Sequence, residues 1–196
     1  MAKPFPWLVP AVWTAGAAPL VAIGVRAAQD ALGANPISEA LNRLGLTALV
    51  FLVGSLACTP VQSFSGWTWP VRLRKSLGLL GFGYATAHFL TWLVLDQQLA
   101  LGEVAQDVAK RPFITVGFAA WLLLIPLALT STRASVRKLG CVRWQRLHRL
   151  AYLCAALGVV HFYWRVKKDH TEPLIYAAVL GLLLGGRVVG WVRNRK

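Results

Sequence analysis

The chain has 196 residues, 57% of them hydrophobic and only 14% charged, where a soluble domain carries roughly 25% charged residues. Mean hydropathy is +0.55. Too little polar surface is present to cover a water-soluble core, and the wealth of apolar and aromatic side chains excludes disorder. The net charge of +14, from 21 Lys and Arg against 7 Asp and Glu, would suggest nucleic acid in a soluble protein. Here the cations cluster between apolar runs, which points to membrane topology and not to nucleic acid.

In chain order, six continuously apolar stretches approach the roughly 20 residues needed to cross a bilayer as helix. They span 7–25, 44–60, 77–95, 112–130, 147–165 and 173–191. Their apolar residues do not alternate, which favours helices over a barrel. The expectation is therefore an all-α bundle of six transmembrane helices forming one domain over 1–196. The first stretch has only Lys3 before a long apolar run and reads as a retained helix. Pro19 and Pro126 fall inside helices, as membrane helices tolerate. Loops 26–43, 96–111 and 131–146 are too short to fold as domains.

Charge sets the expected orientation. With the N-terminus in the cytoplasm, the inner segments hold Lys3, Arg72, Arg74, Lys75, Arg133, Arg137, Lys138, Arg143, Arg146, Arg149, Arg187, Arg193, Arg195 and Lys196. The outer loops receive Arg26, Arg43, Lys110, Arg111, Arg165, Lys167 and Lys168, together with all the acidic residues: Asp30, Glu39, Asp96, Glu103, Asp107, Asp169 and Glu172. Both termini are thus expected inside. Trp67, Trp69, Trp144 and Trp191 fall near the inner interface, and Trp92 and Trp164 near the outer one, as an aromatic belt requires.

No Asp, Glu or Lys lies within the six spans. An ionisable group in a bilayer is a candidate for function, which leaves histidine, plus Arg149 and Arg187 near inner ends, where they can snorkel. At 1.5 Å per residue, His88 lies about 16 Å along span three. His161 stands near the outer end of span five, so the two can meet on facing helices. Paired imidazoles in an apolar bundle suit the axial positions of a b-type haem; packing or a proton relay is the competing reading. Gly78, Gly81, Gly83 and Gly158 lie nearby and leave room either for a macrocycle or for helix packing. His148 lies about 20 Å from His161 along the helix and about 220° around it, so span five is distorted or His148 points elsewhere. His170 is expected to be solvated in the outer loop.

The loop QSFSGWTWPVRLRKS puts Arg72, Arg74 and Lys75 beside two tryptophans, facing Arg143, Trp144, Arg146 and Arg149. Such a cluster suits a flavin phosphate or quinone head group, or else simple anchoring. No GxGxxG unit is present, so a nicotinamide cofactor would have to act through another protein. Cys58, Cys141 and Cys154 form no CxxC pair, which excludes c-type haem attachment and zinc ribbons. Cys58 and Cys154 read as small hydrophobes.

The runs YATAHFLTW, WQRLHRLAYL and VVHFYW, set in six spans, resemble the MsrQ (YedZ) family. These are haem-binding membrane subunits of the bacterial MsrPQ methionine sulfoxide reductase systems, within the ferric-reductase-like transmembrane family. The resemblance covers nearly the whole chain. It implies b-type haem, with His88, His148 and His161 matching the family's functional histidines, and FMN as a second cofactor. It further implies residence in the bacterial inner membrane and electrons drawn from quinol or a cytosolic flavin reductase. The recipient would be a periplasmic molybdopterin reductase of the MsrP type, which repairs methionine sulfoxide in oxidised proteins. Larger relatives such as NADPH oxidases carry two histidines on span three, where this chain has only His88. His88 and His161 are the expected axial ligands. His148 is a candidate ligand of a second haem or a group at the inner electron-loading site, and Arg72, Arg74 and Lys75 are candidate flavin phosphate contacts. The alternatives are a cytochrome b with another acceptor, and a haem-free transporter or assembly subunit.

Overall fold

Nine α-helices account for most of residues 5–193, the part of the chain described by the structure, a computed structural model. They are α1 (Leu8–Ala28), α2 (Pro36–Ser65), α3 (Trp69–Thr91, continued by a π-helical turn Trp92–Asp96), α4 (Leu101–Lys110), α5 (Pro112–Leu129), α6 (Arg133–Leu139), α7 (Cys141–His148), α8 (Leu150–Arg165) and α9 (Thr171–Arg193). No strand occurs among the described residues. Lys3, Arg195 and Lys196 lie outside them, as do the side chains of Trp191 and Arg193.

Local chemistry sets the helix ends. Asn35 caps α2 by accepting the Ser38 amide at 3.0 Å, with Pro36 in the first turn. Gly66, at φ 73°, ends α2 in the left-handed conformation a β-carbon disfavours. Pro70 and Pro112 open α3 and α5. Three residues separate α2 from α3, so the two return antiparallel: Ser55 Oγ donates to the Arg74 carbonyl, and Gly81 faces Leu52.

Among the described residues, four helices are long and apolar enough to cross a membrane: α1, α2, α3 through Asp96, and α5. They enclose the first four predicted stretches to within a residue. α2 begins two turns earlier than expected, because its first turns are polar and carry the Glu39–Arg43 ion pair (2.6 Å). The fifth stretch is not one regular helix. At Arg149 its amide is shared between the Gln145 and Arg146 carbonyls, and the Tyr152 amide reaches back only three residues, the tighter 3₁₀ pattern. The sixth stretch lies within α9. The loops 96–111 and 131–146 contain the short helices α4 and α6, and α7 runs from the second of these loops into the fifth stretch.

α2 sits at the centre. One face packs Leu49, Val53 and Leu56 against Ala155 and Val159 of α8 and Leu180 of α9. Another packs Leu44 and Ala48 against Ile23 of α1 and Tyr84 of α3. α5 and α8 form a second antiparallel pair, with Phe113 beside His161 at one end and Thr130 beside His148 at the other. A β-carbon at Gly81 would stand 2.9 Å from Leu52, and one at Gly16 would stand 2.6 Å from Leu80. These glycines serve close helix packing.

The helices alternate in direction, which gathers Arg72, Arg74, Lys75, Arg133, Arg137, Lys138, Arg143, Arg146, Arg149 and Arg187 at one end of the bundle, and every acidic residue at the other. Two expectations need correction. Arg187 does not snorkel outward: it turns in, donating to the Leu56 carbonyl at 2.8 Å and to the Tyr152 hydroxyl. Pro60, four residues after Leu56, has no N–H for that carbonyl, so a buried acceptor stands open to Arg187. His170 is half-buried and not solvated, because its ring lies 4.6 Å from that of Tyr163.

Tyr84 stitches α1 to α3 at the Pro19 interruption. Its hydroxyl donates to the Gly16 carbonyl at 2.7 Å and accepts from the Leu20 amide at 3.0 Å, groups an unbroken helix joins directly. Tyr84→Phe should cost about 1–3 kcal/mol by stranding them in an apolar setting. Thermal unfolding in detergent checks this; an unchanged midpoint would show that α1 closes its own ladder.

Candidate functional site

His88 on α3 and His161 on α8 are brought together near the acidic end of the bundle, their ring centroids 6.1 Å apart and their planes at 85°. His88 Nδ1 lies 2.9 Å from the Leu41 carbonyl of α2, and His161 Nδ1 lies 2.7 Å from the Phe113 carbonyl of α5. A carbonyl only accepts, so each Nδ1 carries the proton and each Nε2 keeps its lone pair. Gly45 and Gly117 pack against the two rings: a β-carbon there would stand 3.1 Å from His88 Nδ1 and 2.6 Å from His161 Nδ1.

Both imidazoles line a cavity of about 660 Å³. One wall is aromatic: Phe89 stacks on Trp121 at 4.2 Å, Phe118 adjoins both, and the Trp121 indole donates to Thr86 Oγ1 at 3.1 Å. Leu46, Leu49 and Gly158 line it as well. At the mouth stand Asn35, Asp96, Arg111, Arg165 and Lys167. The π-helical turn one turn beyond His88, closed by Gln97 N–H to the Trp92 carbonyl at 2.9 Å, widens α3 beside this mouth; such turns recur at functional sites.

A second cavity, about 680 Å³, opens at the basic end. Arg74, Lys75, Arg133, Arg149 and Arg187 line it, and no acidic residue does. His148 is here, its Nε2 3.0 Å from Thr130 Oγ1. That hydroxyl donates to the Pro126 carbonyl at 2.6 Å, so His148 Nε2 is the donor to it. Trp144 stacks on the His148 ring at 3.9 Å and donates to the Thr130 carbonyl at 2.9 Å. Trp144 is therefore part of the cavity wall. Of the three loop cations singled out from sequence, Arg74 and Lys75 line this cavity, while Arg72 reaches the Phe5 carbonyl at 3.5 Å. Leu52 and Leu124 line both cavities and form the partition between them.

Sequence reasoning passed over Gly45, Gly117, Thr130 and the carbonyls of Leu41 and Phe113. The only signal was a glycine four residues after an apolar residue, a spacing frequent in membrane helices. Gly78 and Gly81, which it did select, meet Ser55 and Leu52 instead of a histidine.

Residues 39–159 match the family described as ferric reductase like transmembrane component, a stretch that includes His88 and His148 and stops just before His161. The chain belongs to this family. It is 51% identical over 180 residues to the haem-binding subunit MsrQ of protein-methionine-sulfoxide reductase from Deinococcus radiodurans, covering 92% of this chain and 89% of that one. MsrQ proteins of Rhodospirillum rubrum and Ralstonia nicotianae are 50% and 48% identical, over 95% and 93% of this chain and 89% and 84% of their own lengths. No solved structure matches it.

Proposed function

We propose that this chain is the haem-binding membrane subunit of a methionine sulfoxide reductase system, a b-type cytochrome of the bacterial inner membrane. It takes electrons from quinol or a cytosolic flavin reductase and passes them to a periplasmic molybdopterin reductase of the MsrP type, where the sulfoxide is reduced. The carrying observation is the His88–His161 pair. Through their free Nε2 lone pairs the two imidazoles, 6.1 Å apart between ring centroids, would hold the haem iron. Both present Nε2 as the free lone pair, and the cavity beside them is apolar and aromatic, as a macrocycle requires. Bound haem would supply a one-electron couple. The protein's own contribution is to hold the two imidazoles in one tautomer, to exclude water with the Phe89–Trp121 wall, and to keep the cavity open at its acidic end.

The membrane topology in this reading is six spans, α7–α8 and α9 joining the four long helices, with both termini in the cytoplasm. The separation of charge between the two ends supports that orientation.

One observation favours a second group at the cytoplasmic end: the basic cavity equals the other in volume and has cations uncompensated by acids. A phosphate-bearing flavin such as FMN, or a second haem on His148, meets those conditions. Nε2 ligation by His148 would require it to leave Thr130. On either account Arg74 and Lys75 neutralise the anionic part.

His88→Ala and His161→Ala should each lower haem per purified protein at least tenfold and abolish the low-spin reduced band, while His148→Ala keeps that band. Full haem occupancy in His161→Ala would refute the ligand assignment. Absence of haem in the parent protein would leave a transporter or assembly role with packing histidines. Arg74→Gln with Lys75→Gln should lower flavin or second-haem content several-fold without altering the His88–His161 signal, as read by pyridine haemochrome and flavin extraction.

A further inference from the structure

We infer that Gly45 and Gly117 are positioning residues for the two imidazoles, acting through the carbonyls of Leu41 and Phe113; this rests on the haem reading above. The two halves of the site are built alike. Leu41 and Gly45 stand four residues apart on α2, as Phe113 and Gly117 do on α5. In an α-helix the carbonyl of one residue points at the amide four residues on. Each carbonyl that holds an imidazole therefore lies directly beneath a glycine of its own helix.

A carbonyl oxygen has a second lone pair, and a group from another helix reaches it only where no side chain covers the approach. A β-carbon at Gly45 would stand 3.1 Å from His88 Nδ1 and 3.2 Å from Cε1; one at Gly117 would stand 2.6 Å and 2.8 Å from the same atoms of His161. Any side chain would thus press the ring off its acceptor. Neither glycine has a positive φ, so the backbone does not demand glycine, and inside a helix glycine is unfavourable. What these residues supply is space. Gly83, with nothing within 4 Å of its β-position, supplies none of this to either histidine.

The Nδ1–H···O=C bond holds Nε2 in one direction and strengthens the ring as a donor to a metal. A stronger donor favours ferric over ferrous iron, so weakening the bond raises the midpoint potential. The tighter fit at Gly117 makes His161 the more sensitive side.

The test compares the detergent-purified parent with Gly45→Ala, Gly117→Ala and, as a control, Gly83→Ala. The readouts are haem per protein, the low-spin electron paramagnetic resonance signal and the midpoint potential. Gly45→Ala should retain low-spin haem with the equilibrium moved three- to tenfold toward ferrous, tenfold being 59 mV for one electron. Gly117→Ala should convert much of the haem to high spin or lose it several-fold, and Gly83→Ala should match the parent. Unchanged spectra and potential in both Gly45→Ala and Gly117→Ala, or an equal change in Gly83→Ala, would overturn the inference. If Gly117→Ala does not accumulate, Gly45→Ala decides alone. A parent with no haem refutes the cofactor reading itself, which separates that failure from this one.

Discussion

A polar group in hydrocarbon has no water to bond and must find its partner in the protein. The six apolar stretches predicted from the sequence contain no carboxylate, so backbone carbonyls are the main acceptors there. His88, His161, Arg187 and Tyr84 each take one, from Leu41, Phe113, Leu56 and Gly16. Helix carbonyls are ordinarily consumed by their own ladder, so each must be opened to an outside donor. Glycine does this at positions 45 and 117 by removing the side chain above the oxygen. Proline does it at position 60 by removing the amide that would have claimed the Leu56 carbonyl. Beside Pro19, which has no amide to offer the Ala15 carbonyl, the Tyr84 hydroxyl bonds the Leu20 amide and the Gly16 carbonyl. Small and cyclic residues that look like helix defects are the points where one helix holds the side chains of another.

Each of the two imidazoles is thereby held by a helix other than its own. α2 holds the His88 of α3, and α5 holds the His161 of α8. The rings keep their separation only while both antiparallel pairs keep their register, and Gly81 against Leu52 sets that register for the first pair. Helix packing and site geometry are in this sense one constraint.

Much of this was legible in the residues. Apolar length locates the long helices, and charge asymmetry separates the two ends. A rise of 1.5 Å per residue placed His88 and His161 at one level, because depth along a helix depends on counting alone. What counting does not supply is rotation and side-chain direction. That is why Gly45 and Gly117 went unnoticed among other glycines, why Arg187 was expected to point outward, and why His170 was expected in solvent. The irregular turn at Arg149 was foreseen only as one of two ways to reconcile His148 with His161. The structure contains both, since the helix tightens there and His148 turns to Thr130. Pro60 lay at the margin of a predicted span and gave no hint that its missing amide would matter to a helix over a hundred residues away.

The partition formed by Leu52 and Leu124 has a bearing on energy conservation. Ions and protons need a hydrated route, and branched alkyl side chains at the boundary of two chambers do not favour one. An electron passed between groups held in the two chambers would need no such route. In the proposed orientation the cell's inside-negative potential also drives an electron outward, by up to about 2.3 kcal/mol for each 100 mV it crosses. In the proposed role, a bundle with two chambers and alkyl side chains at their shared boundary would insulate the proton gradient while conducting reducing power. It would let a cell export reducing equivalents without discharging its membrane.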